Sequence, residues 1–297
     1  MKRKLKRKQY MGLLFIMPWV IGFLVLQLYP LVSSFYFSLT EYNIMSKPEF
    51  IGLQNYKKLL TADNDFWNSL RVTVIYTVFT VPGKLIVALM VAMVMNKNMK
   101  GINAIRTIYY LPSLFGGSIA VSILWKLMFQ DQGIVNSILN VFHIPSVQWL
   151  GSTKMALPTI ILLNFWQFGS AFVMFLAALK NVPADLYEAA DIDGAGGMTK
   201  FFRITLPQIS SIIFFNVIMQ TITALQSFAG PMVITGGGPL KSTYVLGLKL
   251  YTEAFSYYKM GYACAVSWII FIMITIVTLV LFRFSSMVVY YEDGGDF

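Results

Sequence analysis

Charge is scarce in this chain. Asp, Glu, Lys and Arg make up 12% of its 297 residues, against 57% apolar residues. A soluble domain carries about 25% charged residues, so the water-facing surface of a soluble enzyme of this length cannot be assembled from what is present. Cysteine is nearly absent too. The single Cys264 excludes an intrachain disulfide and a cysteine metal cluster, and its place in an apolar run marks it as a small buried thiol. The single histidine, His143, cannot build a zinc site, so zincin, Ser–His–Asp and Cys–His chemistry lack their parts. No catalytic, cofactor-binding or metal-binding residues are expected, and the chain reads as a conduit or receptor, not an enzyme.

What it has in abundance is long apolar runs, with a mean hydropathy of +0.66. Six spans of about 20 residues would use roughly 120 residues, which this composition supplies. The expected fold is all-α: one polytopic membrane domain over residues 1–297, with six transmembrane helices at about 11–39, 66–95, 107–129, 155–179, 207–232 and 260–289. The first run is too long for a signal-peptide core and no A-x-A site closes it, so an uncleaved span is expected.

The net charge of +10 is unevenly placed. Lys2, Arg3, Lys4, Lys6, Arg7 and Lys8 precede the first span, where such a cluster is a cytoplasmic anchor drawn to anionic membrane lipid. No Arg-rich or RNP-like segment follows it, and no nucleic-acid partner is expected. With the N-terminus inside, the inner segments hold eleven basic residues and the outer loops six, which gives an N-in, C-in topology. No Asp or Glu lies inside any of the six spans and no internal repeat relates the halves. Both facts weigh against the alternative function, a self-contained secondary transporter or channel.

Residues 181–206 form a long charged stretch between the fourth and fifth spans. Pro183 suits the start of a helix, Ala184 to Ile192 can continue it, and Gly194, Gly196 and Gly197 break it. A second helical turn, Met198 to Ile204, leads to Pro207. Such a helix–turn–helix, with alanines on one face, suits insertion into a groove on another protein. Within it stand Glu188, Ala189 and Ala190, then Gly194, and nine residues later Ile204, Leu206 and Pro207.

This pattern resembles the EAA loop, EAA-x3-G-x9-I-x-L-P, of the membrane subunits of binding-protein-dependent ABC importers. All seven fixed positions are met. The segments Phe50-Ile51-Gly52-Leu53-Gln54-Asn55-Tyr56, Phe66 to Leu70, Gly236-Gly237-Gly238-Pro239 and Gly261-Tyr262-Ala263 extend the resemblance to carbohydrate-uptake permeases, nearest the first permease of the maltose, glycerol-phosphate and multiple-sugar heterodimers. It implies the type I ABC importer permease fold and a location in the bacterial plasma membrane. It also implies three kinds of partner: a second, non-identical permease, two ATPase subunits holding ATP and magnesium, and an extracytoplasmic solute-binding protein delivering a sugar or oligosaccharide. Glu188 would then contact the ATPase, Ala189 and Ala190 would permit close approach, and Gly194 would form the turn. No cofactor is expected in this chain. Gly194 to Lys200 is glycine-rich, but it lacks the order G-x-x-x-x-G-K-[ST] and the preceding strand of a P-loop.

A substrate path needs hydrogen-bonding groups for sugar hydroxyls and an apolar wall for the ring face. Asn164, Trp166 and Gln167 in the fourth span, with Asn216 and Gln220 in the fifth, are the candidates. Amides of this kind also bond across helices as glue. Lys84 is the odd residue. A mid-span lysine costs about 2.5–3.5 kcal/mol on insertion scales, and it could face a cavity, pair across a permease interface or snorkel to the cytoplasmic surface.

Overall fold

The computed structural model describes residues 15–96, 101–114 and 119–285. The basic cluster at Lys2 to Lys8, Lys97 and Lys100, and the ends of the first and sixth expected spans lie outside the described residues. The chain divides into a smaller unit, Met1–Asp63 with Leu250–Ile269, and a larger one, Asn64–Lys249 with Ile270–Phe297.

In the smaller unit α1 (Phe15–Ser38) is apolar and exposed along its length, as a lipid-facing helix should be. It runs into a two-stranded antiparallel ribbon, β1 (Thr40–Glu41) on β2 (Glu49–Phe50), with Thr40 opposite Phe50. The Phe50–Tyr56 motif has a structural role here. Gly52 takes a φ of +61°, and α2 (Gln54–Thr61) then places Asn55 against the end of α1. Asn55 Nδ2 donates to the Ser38 and Thr40 carbonyls, both at 2.9 Å, and Tyr56 donates to Ser38 Oγ at 2.8 Å. Helix ends leave their last carbonyls unpaired, and a buried side-chain amide satisfies these. Gly261 is needed for contact: a Cβ there would lie 2.1 Å from the Thr40 carbonyl oxygen, where the Gly261 amide itself donates to Tyr42 at 3.0 Å.

The larger unit is built around α3 (Asn64–Met95), long, apolar on average and continuous through Pro82. Its buried stripe includes Ser69, Thr73, Thr77, Thr80, Lys84, Ala88 and Ala92, a run of mostly small side chains at three- and four-residue spacing. Small residues let membrane helices approach closely. Against α3 pack α7 (Ala156–Trp166), α8 (Gly169–Asn181) and α11 (Ser210–Leu225). Gly83 faces Phe165, and a Cβ at Gly83 would lie 2.1 Å from that ring. Residues 107–129 fall on α4 (Ile102–Leu114), which packs on α8, and α5 (Ile119–Met128), which packs on α12 (Ala229–Thr235). Arg106 on α4 reaches back and donates from Nη2 to the Met95 carbonyl at 2.6 Å, capping α3. The last long helix, α13 (Met260–Arg283), is shared by both units.

By length and composition α1, α3 and α13 can each cross a membrane. Sharp bends fall within one expected span and at the start of another. The fourth is α7 and α8, turned by 43° at Gln167 and Phe168, and the fifth begins where α10 (Gly197–Gln208) meets α11 at 67°. α11 ends at Leu225, and α12 takes up the chain after Gln226 to Phe228. Hydropathy averages over such breaks and does not reveal them.

Candidate functional site

Two features of the larger unit are the candidates for a functional site: the segment between α8 and α11, and a cavity beside α3. In the first, α9 (Ala184–Ile192) starts after Pro183, whose φ of −57° suits a helix start. It ends in a Schellman turn. Ala195 N–H donates to the Ala190 carbonyl at 2.9 Å, Gly194 N–H donates to the Asp191 carbonyl at 3.1 Å, and Gly194 takes a φ of +69°. Only glycine enters that conformation without a Cβ penalty. Nothing lies within 4 Å of where a Gly194 Cβ would be, so backbone geometry and not space demands the glycine.

The chain returns through α10, whose Phe201–Thr205 turn is π-helical. Two contacts hold α9 on α10. Tyr187 and Thr205 share a hydroxyl–hydroxyl bond of 2.8 Å, and Lys200 pairs with Asp191. Ala190 and Thr205 are buried between the helices, whereas Glu188 and Ala189 are exposed. Ile192, one turn from Glu188, is 87% exposed, and Leu186, one turn from Ala189, is exposed too, while Met198, 72% exposed, and Phe202 are exposed apolar side chains of α10. Ile204, Leu206 and Pro207 are half-buried at the base, ahead of the bend at Ile209. Pro207 lacks the N–H that would continue the ladder, which is one identifiable cause of such a break.

The cavity, about 420 Å³, is lined by residues of α3, α5, α7, α8, α11 and α12 and of the α7–α8 and α11–α12 connections. It brings together Asn164, Gln167 and Gln220 of the five path candidates. Asn164 Nδ2 donates to the Tyr76 hydroxyl at 2.9 Å, and Ser227 Oγ donates to the same hydroxyl at 3.2 Å. Trp166 and Asn216 are not among the lining residues. Trp166 is 44% exposed, and Asn216 is buried with Nδ2 bonded to the Ile212 carbonyl one turn back at 2.9 Å. Tyr76, Ser170 and Ser227 line the cavity without having been singled out, because hydroxyls scattered through apolar helices carry no sequence signal of their own. Lys84 lines it too.

Residues 59–290 match the family of binding-protein-dependent transport system inner membrane components. The chain belongs to this family. It is a non-catalytic permease component of a binding-protein-dependent ABC importer and a multi-pass membrane protein. It is 42% identical over 297 residues to the probable ABC transporter permease protein YesP of Bacillus subtilis, covering 99% of this chain and 96% of that protein. It is 33% identical over 287 residues to the trehalose/maltose transport system permease protein MalF of Thermococcus litoralis, covering 94% and 95%. In fold it matches a chain of a bacterial alginate ABC transporter crystallised with an alginate pentasaccharide-bound periplasmic protein, with a TM-score of 0.83, 20% identity and coverage of 95% and 96%. That likeness establishes the type I permease fold.

Within this permease the two features are joined covalently. α8, which contributes Ser170 to the cavity, runs through Pro183 into α9, and α10 runs through the 67° bend into α11, which contributes Gln220. A force applied to the α9–α10 pair therefore reaches two walls of the cavity through two helices.

Proposed function

We propose that this permease carries a sugar or oligosaccharide across the bacterial plasma membrane by alternating access, with the N- and C-termini inside and six spans, α4 and α5 together forming the third. The observation that supports this best is the connection of α9 and α10 to α8 and α11. The exposed apolar surface beside Glu188 and Ala189 suits a cleft on one of two ATPase subunits, which hold ATP and magnesium. Closure of the ATPases on ATP would push the α9–α10 pair as a body, since the Tyr187–Thr205 and Asp191–Lys200 contacts tie it together, and would swing α8 and α11 about the cavity. A second, non-identical permease completes the path, and an extracytoplasmic solute-binding protein delivers the sugar. In this reading Glu188, Ala189, Ala190, Gly194, Ile204, Leu206 and Pro207 form the ATPase-coupling segment. Asn164, Gln167 and Gln220 offer hydrogen bonds to sugar hydroxyls, with Trp166 and Asn216 nearby on the same helices. The trehalose/maltose permease among the relatives supports the choice of substrate class.

The test is a mild-detergent purification of the tagged permease from its native membrane, followed by uptake in proteoliposomes. Co-purification of an ATPase and a different permease is expected, with sugar uptake that requires ATP and the binding protein. Solute transport by this chain alone would overturn the reading.

A further inference from the structure

Lys84 stands on the buried stripe of α3, one turn from Thr80 on one side and one turn from Ala88 on the other. Packing of that stripe sets the direction of the side chain. The residue is only 9% exposed and lines the cavity, so it does not lie along the lipid face with its ammonium drawn out to the surface. Among the residues lining the cavity it is the charged one. No carboxylate of this chain pairs with it among the described residues, and no Asp or Glu occurs in any of the spans. Ionisable groups inside membrane segments are costly and typically pair with one another or mark a substrate path.

We propose that Lys84 supplies the counter-charge for a carboxylate on the transported saccharide, which makes the substrate an acidic, uronate-containing sugar. The inference rests on the reading of this chain as a saccharide-importer permease. The other lining groups are neutral: the Asn164, Gln167 and Gln220 amides and the Ser122 and Ser170 hydroxyls. They suit sugar hydroxyls, while one ammonium balances one carboxylate. A phosphate ester carries about −1.5 to −2 at neutral pH and would be left under-neutralised. A neutral sugar passing the same point would leave the ammonium buried without a partner, so the lysine discriminates by penalising the wrong substrate as well as by attracting the right one.

The complete importer, with its second permease, ATPases and binding protein, is expressed in a host without saccharide uptake of its own. Accumulation is measured for a pool of uronate-containing oligosaccharides, for the same pool after carboxyl reduction, and for a panel of neutral sugars. The acidic pool is expected to accumulate in preference to its reduced form. Lys84→Met should raise the KM for the acidic pool by about tenfold or more, as loss of one partner of a buried charge pair does, and should erase the preference. Lys84→Arg should retain both. Assembly of each variant complex is followed by size-exclusion chromatography. Preference for the reduced pool or for neutral sugars, or acidic uptake unchanged in Lys84→Met, overturns the proposal. So does loss of complex assembly in Lys84→Met, which would give the lysine to the permease interface. Uptake of no saccharide of any kind would instead overturn the underlying reading of the chain as a sugar permease.

Discussion

The Tyr187 and Thr205 hydroxyls, eighteen residues apart, meet at 2.8 Å between α9 and α10. Neither belongs to the EAA pattern, yet their bond ties the helix that carries Glu188 to the one that leads into α11. Tyr187→Phe and Thr205→Val should each cost about 0.5–1.5 kcal/mol, the net worth of one such bond. The double variant should cost no more than the larger single one. Thermal unfolding of the purified complex measures the cycle. On the coupling role proposed for this helix pair, uptake should fall a few-fold while ATP hydrolysis falls less.

Gly194 sits in the left-handed region with open space around it. Substitution should therefore follow backbone preference and not side-chain size. Gly194→Asn should be the mildest change, because Asn tolerates this conformation, whereas Gly194→Val should cost about 1–2 kcal/mol and abolish uptake. Sugar binding by the separate binding protein should be unaffected in both. Uptake in cells across the Asn, Ala and Val series checks the order.

Gly83 presents the opposite case, since its φ is ordinary and its space is filled by the Phe165 ring. Gly83→Ala requires the Phe165 ring to shift and should destabilise the permease by about 1–3 kcal/mol through overpacking. Shortening the opposing ring with Phe165→Leu should return part of that loss. Thermal unfolding of the single and double variants in detergent measures both effects.

The Asp191–Lys200 pair is exposed on the Asp191 side. Exposed pairs contribute about 0–1 kcal/mol, so Asp191→Asn should change the unfolding temperature little and uptake less than twofold. A large loss of uptake with normal stability would mean that Asp191 meets the ATPase directly.

Asn55 differs from these in being buried, with its amide donating to two carbonyls at the end of α1. Asn55→Ala strands both acceptors, at about 1–3 kcal/mol for each buried group left unmade. Asn55→Asp should be as damaging, because a carboxylate has no proton to donate. Limited proteolysis of the 40–65 region in membranes should show faster cleavage in both variants.

The family was legible in the sequence through the resemblance of seven fixed positions to the EAA loop, and the turn and break within that loop were legible because they encode local geometry. A glycine after a helix reports a left-handed turn, a proline reports a break, and apolar runs of about 20 residues report a solvent of lipid. The choice among the path candidates was not legible. Asn164 and Asn216 look alike in sequence, both amides within apolar runs, yet Asn164 reaches Tyr76 at the cavity wall while Asn216 turns back on its own helix. Lys84 was equally open, and the Phe50–Tyr56 motif gave no sign that its asparagine closes the end of α1. In each case the deciding contact joins residues far apart in the chain, or depends on which face of a helix its neighbours cover. Composition and local spacing therefore determined that the chain is helical, spans a membrane and breaks into a glycine-turned helix pair ahead of its fifth span. Only packing against α3 decided which polar side chains share one cavity, because a helix's inward face is set by the helices around it.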